Sequence, residues 1–365
     1  MNVKRCDIIL PTCGQGGLIK GCIESLIRHT KYPYRLIAID NAVSGDTSKL
    51  LEEYSASGRL EMVLVKPKEN IGWIRSINAG LEISKDSEYV CFQNDDTVFT
   101  EGWLEELVSV FENDERIGLA NPEWEKPDGV DIDSFAAGLK KFRGRTVDTD
   151  WCRGHCLFMK REVINRLGGL DTAYLPGYYD DRDYSLKAIA AGYRCVKAKA
   201  AFVEHMRNST MKSLMERSKV VDLMERNGRT FYKRWGYPLK LVLVLKDKAG
   251  SGAMLRDMCM DQNKVIVIAE SAGAVPYEHT NMKALPLSRF LFKEKALVHI
   301  LTKPGRKQQK GINFIFTDDP SFHSLIMKFS KLIPARIVFE DNIEKLSRTA
   351  SSLVREKKDE IKGSL

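Results

Sequence analysis

The chain has 365 residues, 43% hydrophobic and 29% charged, with a formal net charge of +8. That length suits two domains rather than one, and the composition is that of a globular protein without low-complexity tracts. No apolar run approaches the roughly 18 residues of a membrane span, and the start "MNVKRCDIIL" reads as no signal peptide, lacking a long apolar core and a small-residue cleavage site.

The first hundred residues alternate strand and helix. "CDIILPT" is a short apolar strand ending at Pro11-Thr12. Helical spacing of Leu18, Ile19, Cys22, Ile23, Leu26 and Ile27 follows. "YRLIAIDN" is a second strand, ending at Asp40, and "TSKLLEEYSAS" a helix with Thr47 or Ser48 as N-cap. "LEMVLVKPK" is a third strand, "IRSINAGLEIS" a helix and "YVCFQNDD" a fourth strand. Continuous apolar strands separated by helices predict a parallel sheet covered on both faces, with ligands collecting at the carboxyl ends of the strands.

After residue 101 the pattern is mixed. "GWLEELVSVFEND" is helical, and residues 122–150 read as irregular with room for one short strand. "CLFMKREVINRLGGLD" gives a strand and a helix, "YYDDRDYSLKAIAAGYR" an acidic turn and a helix, and "CVKAKAAFVEHM" a strand reaching His205. A helical segment, 208–235, closes this module. The remainder restarts an α/β pattern, with strands expected at 239–245, 265–269, 296–301, 312–316 and 336–340 and helices at 251–261, 321–332 and 342–358. Residues 1–235 hold 35 basic and 35 acidic side chains, whereas residues 236–365 hold 22 and 14, so the whole charge excess lies in the second module. The expected domains are therefore 1–235 and 236–365. A basic module suits an anionic partner or is simply a solvated face; peripheral membrane contact is one expectation, and no nucleic-acid partner is expected.

Cysteines occur at 6, 13, 22, 91, 152, 156, 195 and 259, several within apolar runs and none in CxxC spacing. This predicts reduced, buried thiols and a cytoplasmic setting. "CRGHC" at 152–156 is too crowded for a zinc site and lacks a second ligand pair.

"QNDDT" is the informative strand end. Adjacent carboxylates Asp95 and Asp96 repel each other and resist burial, so something must offset that cost. An oxygen-preferring divalent cation, Mn²⁺ or Mg²⁺, completed by substrate phosphates, would do so. The pair alone leaves a second reading open, a cap for the helix beginning near "EGWLEEL".

The ordered run "IILPT … IAIDN … ENIGWIRSINAGL … FQNDDTVFTEGWLEEL … GHCLFMKREVINRLGGLD … GYYDDRDYSLKAIAAGYR … FVEH" resembles the inverting, family-two glycosyltransferases over about residues 5–210. The resemblance implies an α/β, GT-A fold, a UDP- or dTDP-sugar donor, a divalent metal and a glycan or lipid-linked acceptor. Asn94 stands at the first acidic position of the common DxD motif. By resemblance Asp96 is the metal carboxylate, with His205 joining it, and Asp95 meets the ribose or supports the metal. Asp40 hydrogen-bonds the base, and Pro11 and Thr12 form the wall beside it. Gly72, Arg75 and Asn78 serve the donor site, Arg75 through phosphate, and Gly154 lies near the donor sugar. In "YYDDRDYSL" the second acid, Asp181, resembles the base that accepts the acceptor hydroxyl's proton, with its pKa raised by Asp180. Asp180 contacts sugar or acceptor, and Asp183 favours the helix N-terminus.

The sequence leaves two other functions open. Sugar-phosphate nucleotidyl transfer usually needs a glycine-rich basic loop after the first strand, and "PTCGQGGLIKG" offers one Lys. A degenerate nucleotide-sugar-binding scaffold would bind without turnover. In the second module "KDKAGSGAMLRDM" reads as a simple turn, because Leu255 occupies the third glycine position of a dinucleotide loop. "KPGRKQQK" at 303–310 is a basic loop, and no separate activity is assigned to this module.

Overall fold

The computed structural model describes residues 3–13, 16–42, 45–206, 217–302 and 311–363. The basic loop 303–310 and residues 207–216, which include the start of the expected helix 208–235, lie outside them. Two compact units divide the chain, Met1–Phe231 and Tyr232–Leu365.

The first unit runs β1 (Val3–Thr12), α1 (Gly16–His29), β2 (Tyr34–Asp40), α2 (Asp46–Ala56), β3 (Met62–Val65), α3 (Gly72–Ile83), β4 (Ser87–Gln93), β5 (Thr97–Phe99) and α4 (Trp103–Asn113). It continues with β6 (Ile117–Glu123), α5 (Ile132–Leu139), β7 (Thr146–Asp148), β8 (Cys156–Lys160), α6 (Arg161–Leu167), α7 (Asp180–Ala190), β9 (Arg194–His205) and α8 (Arg217–Trp235). Among the described residues its sheet has the order β3-β2-β1-β4-β8-β6-β9-β5, with β7 beside β9. β1 to β4 are mutually parallel, and β8 enters antiparallel to both β4 and β6. Residues Leu36 to Ile39 of β2 are all wholly buried, the signature of a strand covered on both faces. α1 turns Ile19, Cys22, Ile23 and Leu26 inward at spacings of three and four, and each such apolar side chain contributes about 1.5–3 kcal/mol of burial.

Two local expectations change here. The stretch 122–150 contains the end of β6, the helix α5 and the strand β7. α5 starts because Asp131 caps it, its carboxylate accepting from Ser134 N–H, a signal hidden among polar neighbours. Asp95, Asp96 and Thr97 do not cap α4, since β5 intervenes and Gly102 occupies the N-cap. Nor do Thr47 or Ser48 cap α2; Gly45 stands there, and Ser48 donates to Asp40 instead.

The second unit runs β10 (Lys240–Val244), α9 (Gly252–Met260), β11 (Lys264–Ala269), β12 (Met282–Pro286), α10 (Phe292–Thr302), β13 (Phe314–Thr317), α11 (Pro320–Met327), β14 (Arg336–Phe339) and α12 (Ile343–Gly363). Its strands are parallel in the order β12-β11-β10-β13-β14. α9 and α12 pack on one face, α10 and α11 on the other. The expected strand 296–301 is helix: Ala296, Leu297 and Ile300 turn inward while Val298 stays 56% exposed, a helical and not an alternating pattern. The real third strand, β12, is only partly buried and so carries a weak apolar signal. At the crevice where strand order reverses, the buried carboxylate of Asp318 accepts the amides of Lys246 and Asp247. No helix among the described residues is long and apolar enough to cross a membrane.

Candidate active site

The carboxyl ends of β1, β2 and β4 meet on one rim of the first unit, where Thr12 and Asp40 are register partners. A cavity of about 700 Å³ opens there. Asp95, Asp96 and His205 line it together with Gly154, Asp180 and Asp181. An adjoining cavity of about 790 Å³ shares Cys13, Asn41 and Asn70 with it and adds Lys20. Pro11 and Thr12 line the first cavity, with Thr12 wholly buried and its hydroxyl donating to Ile39 O at 3.3 Å.

The strand end after β4 is pinned from below. The Gln93 amide donates to Thr97 Oγ1 at 2.7 Å and to His155 O at 2.8 Å. Asp95 Oδ2 accepts the Cys13 amide at 2.9 Å. Burial pushes the Asp95 carboxyl up to about 6; the charge of Asp96 adds to this and the Cys13 N–H opposes it. Asp96 is 4% exposed, and no hydrogen-bond donor is aligned with its buried Oδ1. Pairing of β5 with β9, Thr97 opposite His205, brings His205 Nε2 to 3.1 Å from that oxygen. Asn94 Nδ2 lies 3.3 Å from the same ring nitrogen.

These atoms fit a divalent cation. Two donors on adjacent corners of an octahedron with bonds of about 2.1 Å lie about 3.0 Å apart, and the buried Asp96 Oδ1 has His205 Nε2 beside it but no aligned hydrogen-bond donor. Among the described residues no cluster of three or more His, Cys, Asp or Glu converges. Water and a ligand's phosphates would therefore fill the remaining positions, as such ions commonly require.

α7 supplies the other carboxylates. Asp181 Oδ2 accepts the Gly154 amide at 2.9 Å, and Oδ1 accepts the Arg182 amide at 2.7 Å. Asp180 is 5% exposed, and its Oδ2 accepts the Trp73 indole N–H at 2.9 Å. Burial, reinforced by the charge of Asp181, raises the Asp180 carboxyl to about 7, although the Trp73 bond opposes the rise. The raised acid is thus Asp180, a deeply buried side chain. Asp183 accepts the Tyr174 hydroxyl at 3.0 Å and pairs with Lys187 at 2.7 Å.

Three of the donor-site expectations find other surroundings. Asp40 is wholly buried and lines neither cavity; its oxygens accept Ala42 N–H at 3.1 Å and Ser48 Oγ–H at 2.6 Å, so it fastens the turn. Its neighbour Asn41 lines both cavities. Arg75 is exposed on α3 and outside the cavity lining, because Ile74 and Ile77 set the buried face. Asn78 grips the backbone of Leu170, donating to its carbonyl at 2.9 Å and accepting its amide at 2.8 Å. Gly72 does line the cavity, at φ 75°, a left-handed conformation that favours glycine.

Sequence reasoning missed the aromatic side of the cavity. Trp73, Trp124, Trp151 and Tyr178 line it. The Arg153 guanidinium stacks 4.1 Å from the Trp151 ring centre and 4.8 Å from that of Trp124. The available signal was three tryptophans and an arginine in polar or irregular stretches, where no core needs them. In "CRGHC", Cys152 Sγ meets Val196 O and Cys156 Sγ meets Cys91 Sγ, each at 3.8 Å, so the two thiols have different neighbours and no zinc set forms. None of the eight cysteines is in a disulfide, and of them Cys13 alone is not buried.

Comparison with known proteins adds the family. Residues 7–168 match the family described as Glycosyl transferase family 2. An uncharacterised protein, y4gI, of Sinorhizobium fredii is 27% identical over 252 residues, 61% of this chain and 27% of that protein. The O-antigen biosynthesis protein RfbC of Myxococcus xanthus is 25% identical over 229 residues, 56% of this chain and 17% of that protein. The chain thus spans only a minor part of the curated relatives it matches. A solved mannosyltransferase, PcManGT from Pyrobaculum calidifontis in complex with GDP-Man and Mn²⁺, is similar with a TM-score of 0.48 and 19% identity, covering 63% of this chain and 65% of that one. Residues 7–168, less than half of the chain, are thus similar to glycosyl transferase family 2, and the unit that holds them is an α/β domain.

Proposed function

We propose that the first unit transfers a sugar, with inversion, from a nucleotide-diphosphate donor such as a UDP- or dTDP-sugar to a hydroxyl of a glycan or lipid-linked acceptor. One observation carries this reading: Asp96 and Asp181 line the same cavity. The name of the RfbC relative, an O-antigen biosynthesis protein, favours a surface polysaccharide as the setting.

Mn²⁺ or Mg²⁺ would be held by Asp96 and His205, with Asp95 beside them, and when bound supplies positive charge that stabilises the departing diphosphate. The chain's own groups do the rest. Asp181 is fixed by two backbone amides, one on each oxygen, and each oxygen retains a further lone pair. It accepts the proton of the acceptor hydroxyl as that oxygen bonds to the anomeric carbon. The bond from that carbon to the diphosphate breaks, and its electron pair leaves with the nucleotide. Trp73 holds Asp180, and the neighbouring aromatic wall offers a stacking face to a sugar ring.

A thermal-shift panel of nucleotide sugars with Mn²⁺ identifies the donor, because a ligand bound only by the folded state raises Tm by mass action. With that donor, EDTA should abolish transfer, and Asp181→Asn should slow it about 10²-fold or more while nucleotide binding persists. Full transfer in EDTA would remove the metal from this reading, and full transfer by Asp181→Asn would remove the base.

A further inference from the structure

We infer that the segment 226–231 of α8 is a latch that sets the position of the catalytic carboxylate, with Asn227 as its principal positioning residue. The inference rests on the reading of Asp181 as the base.

The loop that delivers Asp181 is held in an unfavourable shape. Tyr178 and Tyr179, just before α7, have φ of 69° and 71°. Two consecutive non-glycine residues in the left-handed region need support from outside the loop. The local sequence offers little: Tyr179 is the N-cap of α7, and its side chain makes no capping bond.

α8 provides the support. Asn227 is wholly buried, and its side-chain amide donates to three loop carbonyls: Gly177 at 2.7 Å, Tyr174 at 2.8 Å and Tyr178 at 3.3 Å. Those three oxygens lie on the chain leading into the left-handed pair, the last on Tyr178 itself, and fix the path by which the chain enters α7. Arg226 donates from Nε to Asn227 Oδ1 at 3.1 Å and from Nη2 to Leu175 O. The first bond orients the amide so that its NH₂ faces the loop. The Phe231 ring, also wholly buried, packs 5.2 Å from the Tyr179 ring and 4.9 Å from the Arg182 guanidinium. The Arg182 amide is one of the two that hold Asp181. Every member of the latch therefore acts on a residue within a few positions of Asp181, and none of the three belongs to the cavity lining.

An isosteric change that removes the donors, Asn227→Leu, isolates this role. Misplacement of a reacting group by about 1 Å can cost about 10²-fold in rate, so transfer kcat should fall at least about 10-fold while the nucleotide Kd with Mn²⁺ stays within about twofold and binding remains stoichiometric. The double variant Asn227→Leu with Asp181→Asn should be no slower than Asp181→Asn alone, since a residue acting through another adds nothing once that one is gone. A merely structural residue would instead lower the bound fraction and multiply the two losses, and that result overturns the inference. Should Asn227→Leu fail to fold, Arg226→Met decides, because Arg226 is exposed. It should lower kcat severalfold with Tm and donor KM unchanged and show the same non-additivity with Asp181→Asn; an unchanged kcat overturns the latch. Asp181→Asn at full rate would instead defeat the assignment of the base.

Discussion

Asp180 and Asp181 are covalent neighbours with different surroundings. Asp181 has backbone N–H donors on both oxygens, whereas Asp180 is sealed behind Trp73 with its carboxyl raised to about 7. The sign of the consequence follows from linkage. Between the ordinary pKa of 3.8 and about 7, folded Asp180 keeps a proton that the unfolded chain has released, so stability falls as pH rises through that window and is level above it. Asp180→Asn keeps an acceptor for the Trp73 indole and removes the ionisation. Its Tm should match the parent at pH 4 and exceed it by several degrees at pH 8; an equal Tm at both would show that Asp180 ionises freely in the folded protein. An acidic pair before a helix was legible in "YYDDRDYSL". Which acid is deeper was not, because that depends on Trp73, more than a hundred residues away in sequence. The same holds for Asp40 and Asn41, where strand alternation alone does not say which side chain turns under the rim.

At the scale of elements, α3 shows how a helix serves a site with one end and the fold with its middle. Gly72 and Trp73 at its start reach the cavity, whereas Asn78, further along, ties α3 to the Gly168-Gly169-Leu170 turn. A Cβ on Gly169 would sit 2.3 Å from Asn78 Oδ1, so the second glycine of "GGLD" exists for this bond. Asn78→Ala leaves the Leu170 amide and carbonyl unpartnered and should cost about 1–3 kcal/mol, seen as a lower Tm with donor KM unchanged. Arg75→Ala should change neither by a measurable amount, and a rise in donor KM would place Arg75 at the phosphates after all. Long periodic elements such as α1 and buried runs such as β2 declared themselves in the sequence. Short ones did not: β5 has three residues, and β12 is too exposed to read as an apolar run.

On the scale of the whole molecule, each unit has its own sheet and core, and the proposed donor site is built wholly from the first. The α/β class of both units was legible from alternating strands and helices. What the second unit's crevice holds was not, since Asp318 lies about seventy residues from the amides it meets. Equilibrium dialysis of the intact protein with labelled nucleotide and Mn²⁺ should saturate at one equivalent per chain. A second equivalent that disappears on chelation of the metal would place another donor site outside the cavity described. The second unit's strand order would ordinarily advertise a berth for a phosphate, yet a tethered anion has already moored there. Asp318 therefore meets with its own charge two of the amides that a phosphate would otherwise use there.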